Sequence, residues 1–172
     1  MKPGNILSYV GYFFLFFILQ IIFFRNVILF EHALCFIYIG YVLMLPIDIK
    51  PIPLILIAFG FGLLMDSFFD TIGINAFVCV FVAYVRPYIL KALTPGGGYD
   101  AMTEISISYM GFVWFVKYAA LTIFIHHFIF FTLEAWDLSL FFTIMLRSFL
   151  STLFTLFVLV LLQYLIKRTD NY

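Results

Sequence analysis

The sequence predicts an all-α integral membrane protein, a compact bundle of about six transmembrane helices forming one domain over residues 1–172. Of these 172 residues, 66% are hydrophobic and only 10% are charged. Soluble domains, by contrast, are about 45–50% apolar and about 25% charged. A soluble domain near this size buries only about 70% of its unfolded surface, so the excess apolar side chains must face lipid. Nine basic and nine acidic residues create no positive field for nucleic acid. Soluble enzymes and nucleic-acid-binding proteins are therefore excluded.

The apolar runs have the length of membrane-spanning helices. A helix needs about 20 residues to cross roughly 30 Å of hydrocarbon. The runs are apolar on every face, so they do not fit the alternating strands of a membrane barrel. The predicted spans are 6–24, 27–47, 52–70, 74–93, 105–130 and 138–166.

The polar residues show where each predicted span ends or is interrupted. The first span exceeds a signal-peptide core and lacks a cleavage site at its end, so we expect a retained anchor. The second contains Glu31 and His32, and the third holds Asp66 and Asp70 near its outer end. Either one is a candidate for a short or re-entrant element, which protein or water must cover. The fourth ends at the Pro-Gly-Gly-Gly turn in 94–100, and residues 134–137 separate the long fifth and sixth spans.

The basic residues predict the orientation. With the N-terminus in the cytoplasm, Arg25 is the only basic loop residue on the outer side. Cytoplasmic loops carry an excess of Lys and Arg, so both termini are expected on the cytoplasmic side of the membrane. The inner side then holds Lys2, Lys50, Arg86, Lys91, Lys167 and Arg168.

One stripe of the third span combines small and acidic residues. Ala58, Gly62, Asp66 and Asp70 are four residues apart, which places them on one winding helix face. Small residues let another helix approach closely, so this face predicts helix packing or partner contact. Three interpretations of the acids stay open: caps of the following helix in the headgroup region, a polar contact between helices, or a proton or cation relay.

Two basic residues lie inside the last two spans. Arg147 falls at the outer depth of the aspartates, and we hypothesise an ion pair between Arg147 and Asp66 because an unpaired charge there costs at least about 2.5–3.5 kcal/mol. Lys117 lies near the middle of the fifth span, without an assigned role. Arg147 also begins a polar strip at helical spacing that continues through Ser148, Ser151, Thr152 and Thr155.

The sequence contains no recognisable catalytic or metal-binding constellation. His126 and His127 are adjacent, so on a helix they point about 100° apart and cannot share one metal; we expect them at the outer interface. Cys35 and Cys79 lie in apolar runs and are expected to be buried. The motifs of intramembrane proteases and phosphate loops are missing. We therefore expect no enzyme activity, no cofactor and no metal.

The segment around the third and fourth spans resembles the core pattern of the rod shape-determining protein family MreD. The resemblance rests on Gly62-Leu-Leu-Met-Asp66, Gly73-Ile-Asn75-Ala76 and Ala83-Tyr84, and it covers about 58–91. Gln20 and the basic residues after the fourth span are similar too. Family members often carry Pro-Asp entering the second span, where this chain has Phe30-Glu31-His32-Ala33, so the outer boundary of that span stays open.

The resemblance implies a non-enzymatic subunit of the bacterial cell-elongation machinery, which supports peptidoglycan synthesis and rod shape. Such proteins contact the single-pass scaffold MreC. Through it they connect the actin homologue MreB with the cell-wall glycosyltransferase and transpeptidase. Carried onto this sequence, Gly62, Asp66, Gly73 and Ala76 are the matching positions, and their implied role is packing and partner contact.

Two other classes of function stay open. The MreD family is distantly similar in architecture to the substrate-binding subunits of vitamin transporters, so the alternative is a small-solute carrier subunit whose polar pocket contains Lys117 and the two aspartates. A proton-coupled transporter or channel is disfavoured by the scarcity of charges in mid-membrane and of inverted repeats.

Overall fold

The computed structural model describes residues 3–29, 32–99 and 104–169. Within these ranges, five helices are long and apolar enough to cross a membrane, and two are short. In chain order the helices are α1 (Pro3–Ile18, continued by π-helical turns at Leu19–Phe24), α2 (Ile39–Met44), α3 (Pro51–Phe69), α4 (Ile74–Ala92), α5 (Ile107–Met110), α6 (Phe112–Ala135) and α7 (Phe141–Thr169). The predicted helical bundle is confirmed, and its five long apolar helices fit a membrane protein, with one long helix fewer than predicted.

The third and fourth predicted spans match α3 and α4 to within one residue. α3 begins at Pro51, a favoured residue for the first helical turn, and ends at Asp70, whose backbone is left-handed with φ 55°. Gly73, with φ 80°, precedes α4, and a positive φ is a conformation that glycine adopts without steric cost. These two positions turn the chain in a few residues, so α4 returns directly along α3.

The second predicted span, 27–47, is not one helix. It begins as a hairpin in which β1 (Ile28–Leu29) pairs antiparallel with β2 (Ala33–Leu34), and positions 30 and 31 lie outside the described residues. An irregular stretch leads to the six-residue α2. The prediction of a full helix was wrong here, and the expectation of a short element was the better one.

This segment nevertheless crosses the bundle. Arg25 follows α1 and pairs with Asp70 at the end of α3, 3.8 Å away, so these two helices end on the same side. Since α3 then begins on the opposite side, the chain between 26 and 50 must return across the bundle. The chain therefore crosses the bundle six times in all. The start of α1 and the end of α7 consequently lie at the same end of the bundle. Lys2, on which the predicted cytoplasmic orientation partly rests, lies outside the described residues, as do the side chains of Lys167 and Arg168.

The last two spans start later than predicted. Gly111, with φ 79°, separates α5 from α6, so the fifth span is 112–135 instead of 105–130. Trp136 ends it in a left-handed conformation, and a single 3₁₀ turn at Leu138–Leu140 leads into α7. In that turn the backbone N–H of Ser139 donates to the Asp137 carboxylate at 2.8 Å, which lowers the pKa of Asp137.

Candidate functional site

The centre of the bundle is the irregular crossing at residues 35–46, named here the central segment. All of its residues are buried, although only Ile39–Met44 are helical. Backbone outside a regular helix is tolerated at membrane depth only where protein satisfies its N–H and C=O groups. The polar side chains of the neighbouring helices meet this requirement.

The first half of the central segment is held by α1 and α7. Gln20 donates from Nε2 to the carbonyl of Cys35 at 3.1 Å and accepts the backbone N–H of Tyr38 at 3.2 Å. Thr155 Oγ1 on α7 accepts the backbone N–H of Phe36 at 3.1 Å. Just before the segment, Ser151 accepts the N–H of Leu34 at 3.0 Å. The polar strip that the sequence predicts on α7 therefore replaces the missing helix hydrogen bonds.

The second half is held by Arg86, which is only 1% exposed. Its guanidinium donates to the carbonyls of Leu43, Leu45 and Pro46, at the C-terminal end of α2, where a cation is favourable. Its Nε donates to the Tyr118 hydroxyl at 2.9 Å. In the described part of the chain no carboxylate pairs with Arg86, so carbonyl oxygens balance its charge.

The predicted small-residue face of α3 is closed against α4. A Cβ at Gly62 would lie 2.5 Å from the Cα of Ala76 and 2.7 Å from the carbonyl oxygen of Asn75. Ala58 and Ala76 are buried as well. These residues pack inside the chain, so Gly62 is not available to a partner. Gly73, by contrast, serves the turn through its positive φ and has open space around it.

Asp66 caps the following helix. Its Oδ1 accepts the backbone N–H of Asn75 at 3.0 Å, and its Oδ2 accepts that of Ala76 at 2.9 Å. The first N–H groups of a helix have no partner within the helix, and a carboxylate there is favoured by the helix dipole. The capping interpretation is therefore the one that the structure supports for Asp66, although this carboxylate is buried instead of lying among headgroups.

A chain of hydrogen bonds runs from Asp66 to the middle of the bundle. The Asn75 amide nitrogen donates to Asp66 Oδ1 and to Thr71 Oγ1, so the Asn75 oxygen must accept the Tyr38 hydroxyl proton, 2.7 Å away. The Tyr38 oxygen then accepts from His126 Nε2 at 2.8 Å. His126 Nδ1 is consequently unprotonated, and it is the one buried side-chain nitrogen or oxygen without a hydrogen-bond partner in the described residues.

His127 has the opposite tautomer. Its Nδ1 lies 2.8 Å from the carbonyl of Ile123 and must donate, because a carbonyl can only accept. Its Nε2 therefore accepts the Thr155 hydroxyl proton at 3.2 Å. Both histidines are fully buried, so their predicted place at the outer interface was wrong. They belong to the contact between α6 and the central segment.

The predicted ion pair of Arg147 with Asp66 is absent. Arg147 pairs with Glu134 on α6 at 3.1 Å, and its guanidinium lies 4.4 Å from the centre of the Phe131 ring. Both charged side chains are partly exposed, at 30% and 42%. The Asp66 carboxylate instead accepts hydrogen bonds from backbone and side-chain donors in the turn between α3 and α4. This turn and its flanking residues, 62–76, are named here the α3–α4 corner. The prediction used similar depth alone, and depth does not distinguish which helices are neighbours.

A small cavity lies at the end of the bundle where α1, α3 and α6 end. It encloses about 140 Å³, and its polar lining consists of Arg25, Thr71 and Glu134. The other lining residues are Phe24, Leu34, Cys35, Phe36, Phe69 and Phe130. Asp66, Asp70 and Lys117 do not line it, so they do not form the shared polar pocket that the carrier interpretation expected.

Lys117 lies at the opposite end. Because α6 begins at Phe112, Lys117 is five residues from the start of the helix, and it is exposed. This corrects its predicted position near mid-span. It is remote from the α3–α4 turn, since the α6 start contacts the end of α4 through Trp114 Nε1, which donates to the carbonyl of Leu93 at 2.7 Å.

Sequence reasoning identified the polar strip on α7 but missed other residues that hold the central segment. Arg86 counted only toward orientation, and Tyr38 and Asn75 carried no expectation. The available signal was a set of polar side chains inside otherwise apolar runs, because such residues face protein and need partners.

No known protein family, no curated protein and no solved structure matches the chain.

Proposed function

We propose that the protein is a non-enzymatic subunit of the bacterial cell-elongation complex in the inner membrane. In this role it contacts a single-pass scaffold of the MreC type, and through it MreB and the cell-wall glycosyltransferase and transpeptidase. The observation that carries the proposal is the α3–α4 corner. The residues that resemble the MreD family, Gly62, Asp66, Gly73 and Ala76, form one continuous structural unit there instead of scattered positions.

The corner supports an adaptor because its contacts join α3, α4 and the central segment. Close backbone approach at Gly62 and the Asp66 cap fix α4 against α3, and Asn75 and Tyr38 connect this pair to the central segment. The outward faces of the long helices are apolar and exposed. On α3 they include Leu56, Phe59 and Leu63, beside Gly60, where an added Cβ would meet nothing within 4 Å. A membrane partner would therefore bind such an outward apolar face.

Copurification from native membranes in a mild detergent tests the proposal. We expect a single-pass scaffold protein to be enriched with the tagged chain, and loss of the chain to convert rod-shaped cells into rounded ones. Gly60→Leu alters the outward face of α3 without touching the corner, so it locates the contact if the partner is lost at unchanged melting temperature. Rod shape after deletion, together with no enriched cell-elongation protein, would contradict the proposal.

One observation favours a second candidate, a small-solute carrier subunit. The lining of the cavity near Arg25 and Glu134 is mostly apolar, with four phenylalanines and a few polar groups, the usual composition of a ligand pocket. Its volume, about 140 Å³, admits only a small solute or part of a larger one. Mass spectrometry of the purified, denatured protein distinguishes the candidates: a stoichiometric solute that Phe130→Trp removes would favour the carrier.

A further inference from the structure

A second concave site lies at the end of the bundle opposite the small cavity. It is an open groove of about 500 Å³ between the end of α4 and the start of α6. Its lining is Leu93, Met110, Gly111, Phe112, Val113, Trp114 and Lys117. Phe112 and Val113 are 50% and 65% exposed, so an apolar surface is presented to the membrane with a single charge in it.

Lys117 has no charged partner among the described residues of this surface. It makes no ion pair and no hydrogen bond with any residue in 3–29, 32–99 or 104–169. A charge on the lipid-facing side of a helix is costly unless it reaches a polar group. An anion supplied from outside the chain would satisfy it.

The geometry sets the depth of that anion. Lys117 is five residues beyond Phe112, which at 1.5 Å per residue is about 7.5 Å inside the helix start. Side chains on a helix lean toward its N-terminus, and a lysine places its ammonium at the membrane interface while its stem covers apolar surface. The Lys117 ammonium is therefore directed toward the level of the phosphate groups of lipids.

We propose that this groove binds an anionic phospholipid. Its phosphate contacts the Lys117 ammonium, and one acyl chain lies along Met110, Phe112 and Val113. The groove is at the same end of the bundle as Lys50 and Lys91, which the charge distribution predicts to be cytoplasmic. A basic residue that lines the groove near that leaflet contributes directly to binding an anionic lipid. This site is independent of the proposed function in cell elongation.

Native mass spectrometry of the detergent-purified protein, titrated with phosphatidylglycerol or phosphatidylcholine, tests the site. We expect the wild-type chain to retain phosphatidylglycerol in preference to phosphatidylcholine. Lys117→Gln should weaken phosphatidylglycerol binding about fivefold, the effect of removing one basic residue near the headgroups. Met110→Trp keeps the charge but fills the groove, so it should reduce binding of the same lipid. Inorganic phosphate in excess should not compete, because it lacks the acyl chain.

Lys91→Gln is the matched control, since Lys91 is also exposed at this end but does not line the groove. It should weaken phosphatidylglycerol binding much less than Lys117→Gln does. The proposal is overturned if Lys117→Gln binds phosphatidylglycerol like the wild type, if Lys91→Gln loses as much, or if phosphatidylcholine binds equally well. Unchanged melting temperatures of the variants exclude a folding effect.

Discussion

The backbone of Ala76 occupies the place that a side chain at Gly62 would need, since a Cβ at position 62 would lie 2.5 Å from the Ala76 Cα. Backbone cannot move aside as a flexible side chain can. Gly62→Ala should therefore destabilise the protein by about 1–3 kcal/mol, the usual cost of overpacking, measured by thermal unfolding in detergent. Gly60→Ala is the control, because nothing lies within 4 Å of a Cβ there; equal losses for both would contradict the close α3–α4 contact.

Alanine substitutions of the two aspartates, Asp66 and Asp70, should destabilise the protein by very different amounts. Asp66 is buried and accepts two backbone N–H groups at the start of α4, whereas the Asp70 side chain is 91% exposed and pairs weakly with Arg25. Asp66→Ala should cost about 1.5–3 kcal/mol, as for a hydrogen bond to a charged group. Asp70→Ala should cost less than about 1 kcal/mol. Thermal unfolding of both variants checks this, and a larger effect at Asp70 would refute the capping role of Asp66.

Arg86 should be essential for the central segment. Arg86→Met leaves the carbonyls of Leu43, Leu45 and Pro46 without their donor, and an unsatisfied buried polar group costs about 1–3 kcal/mol. Limited proteolysis should then cut near residues 45–50 faster than in the wild type. Lys91→Gln, an exposed substitution on the same helix, should change neither stability nor cleavage. An unaltered cleavage rate in Arg86→Met would show that the segment is held by other contacts.

The hydroxyl of Tyr38 connects two otherwise separate groups. Tyr38→Phe removes the donor to Asn75 Oδ1 and the acceptor of His126 Nε2, so a loss of about 1–3 kcal/mol is expected on thermal unfolding. Tyr41→Phe provides the comparison, because Tyr41 is similarly buried and makes ring contacts with Phe13 and Phe61. Equal melting temperatures of the two variants would show that the Tyr38 hydroxyl does not stabilise the bundle.

A double-mutant cycle separates the observed ion pair from the predicted one. Arg147 and Glu134 are partly exposed, so their coupling energy should be about 0.2–1 kcal/mol. Arg147 and Asp66 share no contact and should behave additively, within about 0.5 kcal/mol. Combining Arg147→Gln with Glu134→Gln or with Asp66→Asn measures both values. A significant coupling energy between Arg147 and Asp66, with none between Arg147 and Glu134, would show that Arg147 pairs with Asp66 instead.

The predicted bounds of α3 and α4 agree with the structure to within one residue because the turns beside them are set by local residues, Pro51 and Gly73. Sequence reasoning failed for 27–47 because hydropathy measures how apolar a segment is, and a buried irregular segment is as apolar as a helix. The side chains that allow this departure, Gln20 and Arg86, come from distant parts of the chain.

The sequence by itself predicted a membrane protein built from long apolar helices, because the hydropathy of a segment is a sum over neighbouring residues. The α3 stripe of Ala58, Gly62 and Asp66 was also readable, since helical spacing depends only on local geometry. Which helices are neighbours was decided only in the tertiary structure. There Arg147 pairs with Glu134 instead of Asp66, and Lys117 pairs with none of the other described residues, because a buried or paired charge is defined by what surrounds it in space.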